Sequence, residues 1–376
     1  MTELPETVLQ FGGGKFLRAF ADLFIHQANE QGQNVGRVVV VQSTDSGRAQ
    51  QLNAQGGRYH VAVRGLSEGQ LVDRVEEAAS IRRALVAQTE WDKVLEVARS
   101  PELRYILSNT TEAGLALNPE DRLEDAPPRS FPAKLLLLLK ARHESGLPGL
   151  TILPTELLED NADRLRALLL EQARLWNLPE ALAEWLQTEC AWPNTLVDRI
   201  VTDKPAGHPL LAQDPLLTMA EPFAFWAIQE KPNGAPLCQH WAIQYTGDVK
   251  PFFLRKVRIL NAAHTAMTPK ALARGIKLVR EAMQDAELRS WLEGLLFEEV
   301  LPVLEGRVAE PETFARQTLE RFSNPFLDHK FSDIAIYHDA KVKIRLVPTR
   351  DEFIAKFGRT PRRLEEAIQE SANLPL

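Results

Sequence analysis

The N-terminal stretch constrains the fold more than any other part of the chain. Residues 7–11, Thr-Val-Leu-Gln-Phe, form a short apolar run suited to a buried strand. Gly12, Gly13 and Gly14 follow, and the periodic segment Phe16-Leu17-Arg18-Ala19-Phe20-Ala21-Asp22-Leu23-Phe24 reads as a helix. Strand, glycine turn and helix together let the backbone approach a pyrophosphate and turn a partly positive helix N-terminus towards it. A Gly-x-Gly pair is weak by itself, and Leu17 stands where a third glycine is expected. Its place directly after a strand strengthens it. The competing reading is a tight turn that needs glycine for its shape alone. Phe11, Gly12, Gly13, Gly14 and Phe16 are the residues such a dinucleotide site would use.

The rest of the first half alternates strand, loop and helix. Arg37-Val38-Val39-Val40-Val41-Gln42 is a β-branched run suited to a parallel strand buried on both faces. In an NAD-binding sheet an acid at the end of this strand takes the adenosine ribose, and Asp45 lies about three residues late for that role. Asp45 could equally cap a helix. Gln42 and Arg48 leave room for a 2′-phosphate, so NADP(H) stays open beside NAD(H). Residues 58–85 read as an excursion with short strands, followed by a helix near Glu90–Arg99. Tyr105–Ser108 is the next strand, and Asn109-Thr110-Thr111-Glu112-Ala113-Gly114 follows it. A polar cluster at the carboxyl end of a strand is where an open α/β sheet holds its ligand, which makes Asn109, Thr110 and Glu112 cofactor candidates. A Pro-rich loop at Ala126–Pro128, a helix over Pro132–His143 and a strand at Leu150–Leu153 come next. Asn161 then opens a helix running to about Trp176. The alternation predicts a doubly wound α/β sheet.

Within residues 193–204, Asp198 and Arg199 interrupt an apolar run. A buried ion pair there needs a reason, because both charges lose their water. Arg199 facing a substrate carboxylate would supply one. Residues 205–250, rich in Pro, Trp and Phe, read as a junction with strand-like Phe223–Gln229 and Gln239–Tyr245. Beyond it the pattern is helical, with helices expected over Pro269–Gln284, Glu287–Leu304 and Pro311–Phe322. At 376 residues two domains are expected, with a dinucleotide-binding domain at 1–220 and a mainly helical substrate domain at 221–376.

Residues 253–266, Phe-Phe-Leu-Arg-Lys-Val-Arg-Ile-Leu-Asn-Ala-Ala-His-Thr, place Lys256, Asn261 and His264 in one apolar segment. On an α-helix the three fall within an arc of roughly 140° and a length of roughly 12 Å. They can line one wall of one cleft. Burial pushes a lysine pKa down, which makes it usable as a base. Asn can donate to a developing alkoxide, and His can hold a hydroxyl. The competing reading is an amphipathic helix with its polar stripe in water. Tyr337-x-x-x-Lys341 imitates a Tyr/Lys catalytic pair, but it lies near the C-terminus beyond the helical stretch and reads as coincidence.

Composition narrows the partners. A net charge of -7 gives no footprint for nucleic acid. No apolar run reaches the ~18 residues a membrane helix needs, and the N-terminus lacks the basic start and apolar run of a secretory signal. Cys190 and Cys238 form no CxxC pair, and free thiols in a reducing cytoplasm are expected. Cys and His do not cluster at zinc-ligand spacing, so no metal site is expected.

Taken together, these segments resemble the mannitol dehydrogenase family of polyol-specific long-chain dehydrogenases over nearly the whole chain. The most specific match is Lys256-x-x-x-x-Asn261-x-x-His264; Val197–Ile200 and the loop Gln10–Phe20 also fit. Ser108-Asn109-Thr110-Thr111-Glu112-Ala113-Gly114 points to the branch that interconverts tagaturonate and altronate, whose typical members are longer than this chain. The resemblance implies an N-terminal Rossmann-like doubly wound sheet followed by a mostly α-helical C-terminal domain. It implies metal-free, NAD(H)-dependent hydride transfer in a cleft between the domains, with Lys256 as general acid/base. Asn261, with Asn161 as a second donor, would hold the oxyanion, and His264 would orient a hydroxyl. Arg321–Pro325 and the Lys341 segment fit the family's C-terminal domain, which brings Asn324 to the substrate. By charge, Arg199, Lys341 or Arg345 could pair with a sugar-acid carboxylate. Phe253 stands where some members carry a proton-relaying glutamate. The alternatives are another reaction of the family, on fructuronate or a neutral polyol such as mannitol, and a non-catalytic sugar-acid or nucleotide sensor. A cytoplasmic monomer or homodimer acting on a small sugar acid or polyol is expected.

Overall fold

The computed structural model describes residues 4–44, 46–202, 204–205 and 207–374. The chain divides into two compact units: Met1–Ala62 with Val75–Ala220 and Ala224–Val249, and Val63–Arg74 with Glu221–Phe223 and Lys250–Leu376. The first unit thus continues past residue 220, to Val249.

The strands of the first half are β1 (Glu6–Phe11), β2 (Arg37–Gln42), β3 (Tyr59–Ser67), β4 (Gln70–Ala78), β5 (Ile81–Val86), β6 (Tyr105–Ser108) and β7 (Thr151–Pro154). Those that follow are β8 (Thr195–Asp198), β9 (Val201–Thr202), β10 (Thr218–Ala220), β11 (Phe225–Gln229) and β12 (Ile243–Thr246). The main sheet has the order β5-β2-β1-β6-β7, and every neighbouring pair in it is parallel. Val38–Val41 are all but fully buried, as a strand covered on both faces must be. Helices Ala87–Ala98, Phe131–Glu144 and Asn161–Leu175 pack with the sheet in one apolar core that includes Leu9, Val39, Trp91, Leu135, Ile152 and Leu165. The chain builds outwards from β1 through β2 and β5, then returns to lay β6 on the other side of β1. The strand order therefore reverses between β1 and β6, the position where open α/β sheets bind ligands beyond their carboxyl ends. Pairing of Phe11 with Ser108 brings Gly12 and Asn109 together at that point.

The helix expected over residues 16–24 is broken. Lys15–Arg18 forms one turn, and Ala21–Glu30 starts afresh after Phe20 at φ -134°, ψ -101°. The cause is visible in the carbonyls at the break. Arg18 O accepts from the Tyr59 hydroxyl at 2.8 Å, and Ala19 O accepts from Arg199 Nη1 at 2.7 Å. Distant side chains thus take acceptors that a continuous helix would use internally.

Smaller sheets follow, β4-β3-β10-β9 and β12-β11-β8. The turn region of the β3–β4 hairpin belongs to the second unit. At the centre of that unit is the helix Ala262–Ala273, whose residues Ala262–Pro269 are all buried. A helix apolar all round needs neighbours all round, and Leu292, Leu296, Phe322, Phe331, Leu346 and Leu364 share its core. A helix starting at Pro269 was expected. Pro269 instead lies inside Ala262–Ala273, and the chain turns at Gly275 (φ +71°) before the short helix Val279–Ala282. Two segments, Lys256–Asn261 and Leu295–Val300, are wound as π-helix.

Candidate active site

Two constellations carry chemistry, one in each unit. In the first, Phe11, Gly12, Gly13, Gly14, Gln42, Ser43, Thr44, Ser46, Arg48, Asn109 and Thr110 line a cavity of about 310 Å³ at the carboxyl ends of β1, β2 and β6. The glycines are there for space and conformation. Gly12 has φ +112°, and a Cβ on it would lie 3.1 Å from Asn109 O; a Cβ on Gly13 would lie 3.2 Å from Val40. Glycine at these two positions lets the loop pack this closely on β2 and on the turn after β6.

The loop's carbonyls are tied from below, which leaves its outer face to a ligand. Gln10 Nε2 donates to Gly12 O at 2.9 Å, and Arg18 Nη1 donates to Gly13 O at 2.7 Å. Gln10 Nε2 also donates to Asp22 Oδ2 at 3.1 Å. Asp22 is completely buried. Burial pushes its carboxyl up to about 7, against the opposing pull of the Gln10 hydrogen bond and the Arg18 charge. Phe16, expected in the cofactor site, does not line the cavity; its ring stacks on Phe20 at 4.9 Å. Asp45 lies outside the described residues, as does the side chain of Glu112, whose backbone begins a short 3₁₀ turn at Glu112–Gly114. Gln42 accepts from Ala49 N at 2.6 Å, so it anchors the next helix rather than reaching freely into the cavity.

Asn161 departs from its expected role. It is fully buried, and its Nδ2 donates to Pro154 O, Glu156 O and Thr195 O at 3.1–3.2 Å. Its Oδ1 accepts from Ala162 N and Thr195 N. An amide committed at both ends has no donor left for an alkoxide. Arg199 is buried, and its Nη1 donates to Ala19 O at the helix break described above. Sequence reasoning passed over Thr155 and Glu156. Glu156 accepts from Ser108 Oγ, Thr110 N and Thr110 Oγ1, and Thr155 Oγ1 donates to Ser108 O at 2.7 Å. The signal was available, since both are polar residues at a strand's carboxyl end.

In the second unit, Lys256 and Asn261 begin and end the π-helical turn, and His264 lies in the helix that continues it. Five residues of α-helix would leave Lys256 and Asn261 about 140° apart. A π-helix bonds i to i+5 and holds more residues per turn, so residue i+5 swings back towards the face of residue i. Lys256 is half-buried; Asn261 and His264 are buried. Among the described residues, Asn261 Nδ2 and His264 Nε2 have no hydrogen-bond partner. Buried polar atoms of this kind call for a ligand or another functional reason. The His264 ring stacks on Phe322 at 4.0 Å and meets His329 edge-on at 4.8 Å. Burial, reinforced by the charges of His329, Arg345, Arg321 and Lys256, holds its pKa well below the usual histidine value. The imidazole is therefore neutral at neutral pH and can donate from one nitrogen while accepting at the other.

Arg345, on the helix His338–Arg345, donates to Thr265 Oγ1 at 3.2 Å, next to His264. It is the predicted carboxylate partner that the structure brings to this group. Lys341 donates to Ile334 O at 2.7 Å within its own segment. Asn324 is buried, with Nδ2 donating to Arg64 O and Oδ1 accepting from Phe326 N, so both ends of its amide serve the backbone. Tyr337 is 81% exposed, which agrees with reading the Tyr/Lys spacing as coincidence. Arg321, missed by sequence reasoning as an anchor, makes a fully buried bidentate pair with Glu221 at 2.7 and 2.9 Å; Phe322 beside it carries the ring that stacks on His264.

Two family models match the chain: the mannitol dehydrogenase Rossmann domain over residues 6–238 and the mannitol dehydrogenase C-terminal domain over residues 248–368. An altronate oxidoreductase from Halalkalibacterium halodurans is 39% identical over 96% of this chain and 73% of its own length. One from Bacillus subtilis is 38% identical over 96% of this chain and 78% of its own length. Among solved structures, Pseudomonas fluorescens mannitol 2-dehydrogenase, in ternary complex with NAD and D-mannitol, superposes with a TM-score of 0.84 at 23% identity, covering 99% of this chain and 79% of that one. A D-sorbitol dehydrogenase in substrate-free form gives 0.85 at 24% identity, covering 99% and 80%. At such identities these structures speak for the fold, a Rossmann domain followed by a mostly helical domain. With both models matched in order across Glu6–Ile368, the chain belongs to the mannitol dehydrogenase family.

Proposed function

We propose that this chain interconverts tagaturonate and altronate by NAD(H)-dependent hydride transfer, with Lys256 as the proton carrier. The observation that carries the reading is the π-helical turn that Lys256 opens and Asn261 closes, followed by His264, with Asn261 Nδ2 and His264 Nε2 buried and without a partner among the described residues. Relatives named altronate oxidoreductase, matched over 96% of the chain, support the substrate class.

The residues around the 310 Å³ cavity fit a dinucleotide, because the glycine loop that follows β1 lines it at the carboxyl ends of β1, β2 and β6. When bound, NADH supplies the hydride. In the direction of reduction, the Lys256 ammonium gives its proton to the oxygen that becomes the alcohol; in oxidation the neutral amine takes it back. Asn261 Nδ2 donates to the same oxygen as negative charge grows on it, the most effective place for a preorganised donor. His264 holds a neighbouring hydroxyl, and Arg345 pairs with the sugar-acid carboxylate. Asn161 is left out of the oxyanion site because its amide is already committed. The reading also takes the protein as a cytoplasmic monomer or homodimer that does not bind nucleic acid; no helix among the described residues is long and apolar enough to cross a membrane.

The test is a panel of tagaturonate, fructuronate, fructose, altronate and mannitol, scored by kcat/KM with NADH or NAD and with NADPH or NADP in parallel. Tagaturonate with NADH is expected to lead the reductive arm. Lys256→Ala should lower kcat by about 10²–10⁴-fold while NADH still binds. Preference for fructose and mannitol would overturn the sugar-acid reading, and near-normal turnover by Lys256→Ala would overturn the mechanism.

A further inference from the structure

Glu156 holds Thr110, a residue of the dinucleotide cavity wall, and has no part in the chemistry above. It follows β7 and is 3% exposed. Burying a carboxylate is costly unless donors surround it. Its Oε1 accepts from Thr110 N at 2.8 Å and Thr110 Oγ1 at 3.0 Å, and its Oε2 accepts from Ser108 Oγ at 3.1 Å. The three donors belong to the last residue of β6 and the turn that leaves it. Two of the residues in that turn, Asn109 and Thr110, line the cavity opposite Gly12–Gly14. Asn109 is held on two sides, its N–H donating to Phe11 O at 3.1 Å and its Nδ2 to Thr155 Oγ1 at 2.9 Å.

The next residue explains why so much holding is needed. Thr111 has φ +122° and ψ +160°, a conformation that glycine adopts and a β-branched side chain resists. Such strain persists only where the surroundings over-determine the backbone. The donors that engage Glu156 end one residue before it. On the far side, a Cβ on Gly114 would lie 2.6 Å from Thr110 Oγ1, so Thr110 is hemmed in from there as well. The backbone of Glu156 is itself fixed, since its carbonyl accepts from Asn161 Nδ2 at 3.1 Å.

We propose that Glu156 is a positioning residue whose carboxylate clamps Ser108–Thr110, so that the strained turn at Thr111 keeps the cavity wall in the shape that receives the dinucleotide. The inference rests on the reading of this cavity as the dinucleotide site. The clamp and the strain oppose each other: release of Glu156 lets the turn relax away from the cavity, whereas removing the strain makes the clamp dispensable.

That opposition supplies the test. NADH affinity is measured by fluorescence, beside steady-state kinetics and thermal melting, for wild type, Glu156→Ala, Glu156→Gln, Thr111→Gly and the double variant Glu156→Ala/Thr111→Gly. Loss of charge-assisted bonds at Glu156→Ala should weaken NADH binding by about tenfold or more, with KM for NADH rising in step. At saturating NADH, kcat should stay within about threefold of wild type, because the proton and oxyanion groups are untouched. Glu156→Gln should bind close to wild type, since its Oε1 still accepts from Thr110. The double variant should recover most of the lost affinity, because glycine holds this conformation without strain. A residue that served stability alone would lower Tm without that recovery. Should Glu156→Ala not fold, Glu156→Asp, which keeps the charge but withdraws it by one methylene, carries the same comparison. Wild-type NADH affinity in Glu156→Ala, or a defect that Thr111→Gly leaves unchanged, overturns the clamp. If wild type binds neither NADH nor NADPH, the dinucleotide reading falls and the clamp with it.

Discussion

Asp22→Asn tests the electrostatics beneath the glycine loop. Asp22 is 0% exposed, and its one described side-chain hydrogen bond comes from Gln10, which also supports Gly12 O. Asp22 Oδ1 and Gln10 Oε1 have no partner among the described residues. Burial raises the carboxyl from 3.8 to about 7. Between those values the unfolded chain has released its proton while the native state retains it. Native stability therefore falls as pH rises, at about 1.4 kcal/mol per pH unit for this one group. Across a span of about three units the cost reaches about 4 kcal/mol; it is absent below the unfolded pKa and constant above the folded one. Asparagine keeps the shape and removes the titration, and its amide can donate to Gln10 Oε1. The variant should match wild type near pH 4, gain on it steadily to pH 7, and hold a lead of up to about 4 kcal/mol at pH 8. Urea unfolding followed by tryptophan fluorescence at five pH values reads this directly, provided m does not change. Every tryptophan except Trp291 lies in the first unit, so the probe reports the right part of the chain. A variant-minus-wild-type difference that is flat from pH 4 to pH 8 refutes the argument.

Gly12→Ala puts a side chain at φ +112° and 3.1 Å from Asn109 O, so NADH affinity should fall by at least about tenfold, as read by fluorescence titration. Asn161→Ala should destabilise the first unit by about 3 kcal/mol, because its Nδ2 bonds to Pro154 O, Glu156 O and Thr195 O and its Oδ1 bonds from Ala162 N and Thr195 N are lost together, with kcat largely kept in the folded fraction. A hundredfold loss of kcat with Tm unchanged would instead return Asn161 to the oxyanion.

What was legible in the sequence is what depends on local pattern. Val38–Val41 announces a doubly covered parallel strand because burial on both faces demands an unbroken apolar run. Gly12 and Gly13 announce a close approach, because a Cβ would lie 3.1 Å from Asn109 O at the first and 3.2 Å from Val40 at the second. The break after Arg18 was not legible, since its causes lie at Tyr59 and Arg199. The same blindness explains the misplaced polar residues. Asn161 and Asn324 have side chains suited to a substrate, and each is engaged by main-chain groups brought to it by the fold. A sequence shows which donors and acceptors exist; only the fold shows which backbone groups have already claimed them.

The Lys256–Asn261 turn is the same lesson in reverse. The spacing of Lys256, Asn261 and His264 is plain to read, but α-helical geometry sets the first two about 140° apart, too far to meet comfortably on one oxygen. Nothing in Lys-Val-Arg-Ile-Leu-Asn marks a π-helix. Arg258, 8% exposed in the middle of the turn, donates to Thr349 Oγ1 at 2.5 Å and to Glu352 at 3.1 Å on the helix Val347–Phe357. Val257, Ile259 and Leu260 are buried on either side of it. The wider π-turn swings Asn261 back towards the face of Lys256. In the proposed mechanism proton transfer and oxyanion stabilisation act on a single oxygen, and the π-winding narrows the angle between Lys256 and Asn261 that α-helical spacing would leave.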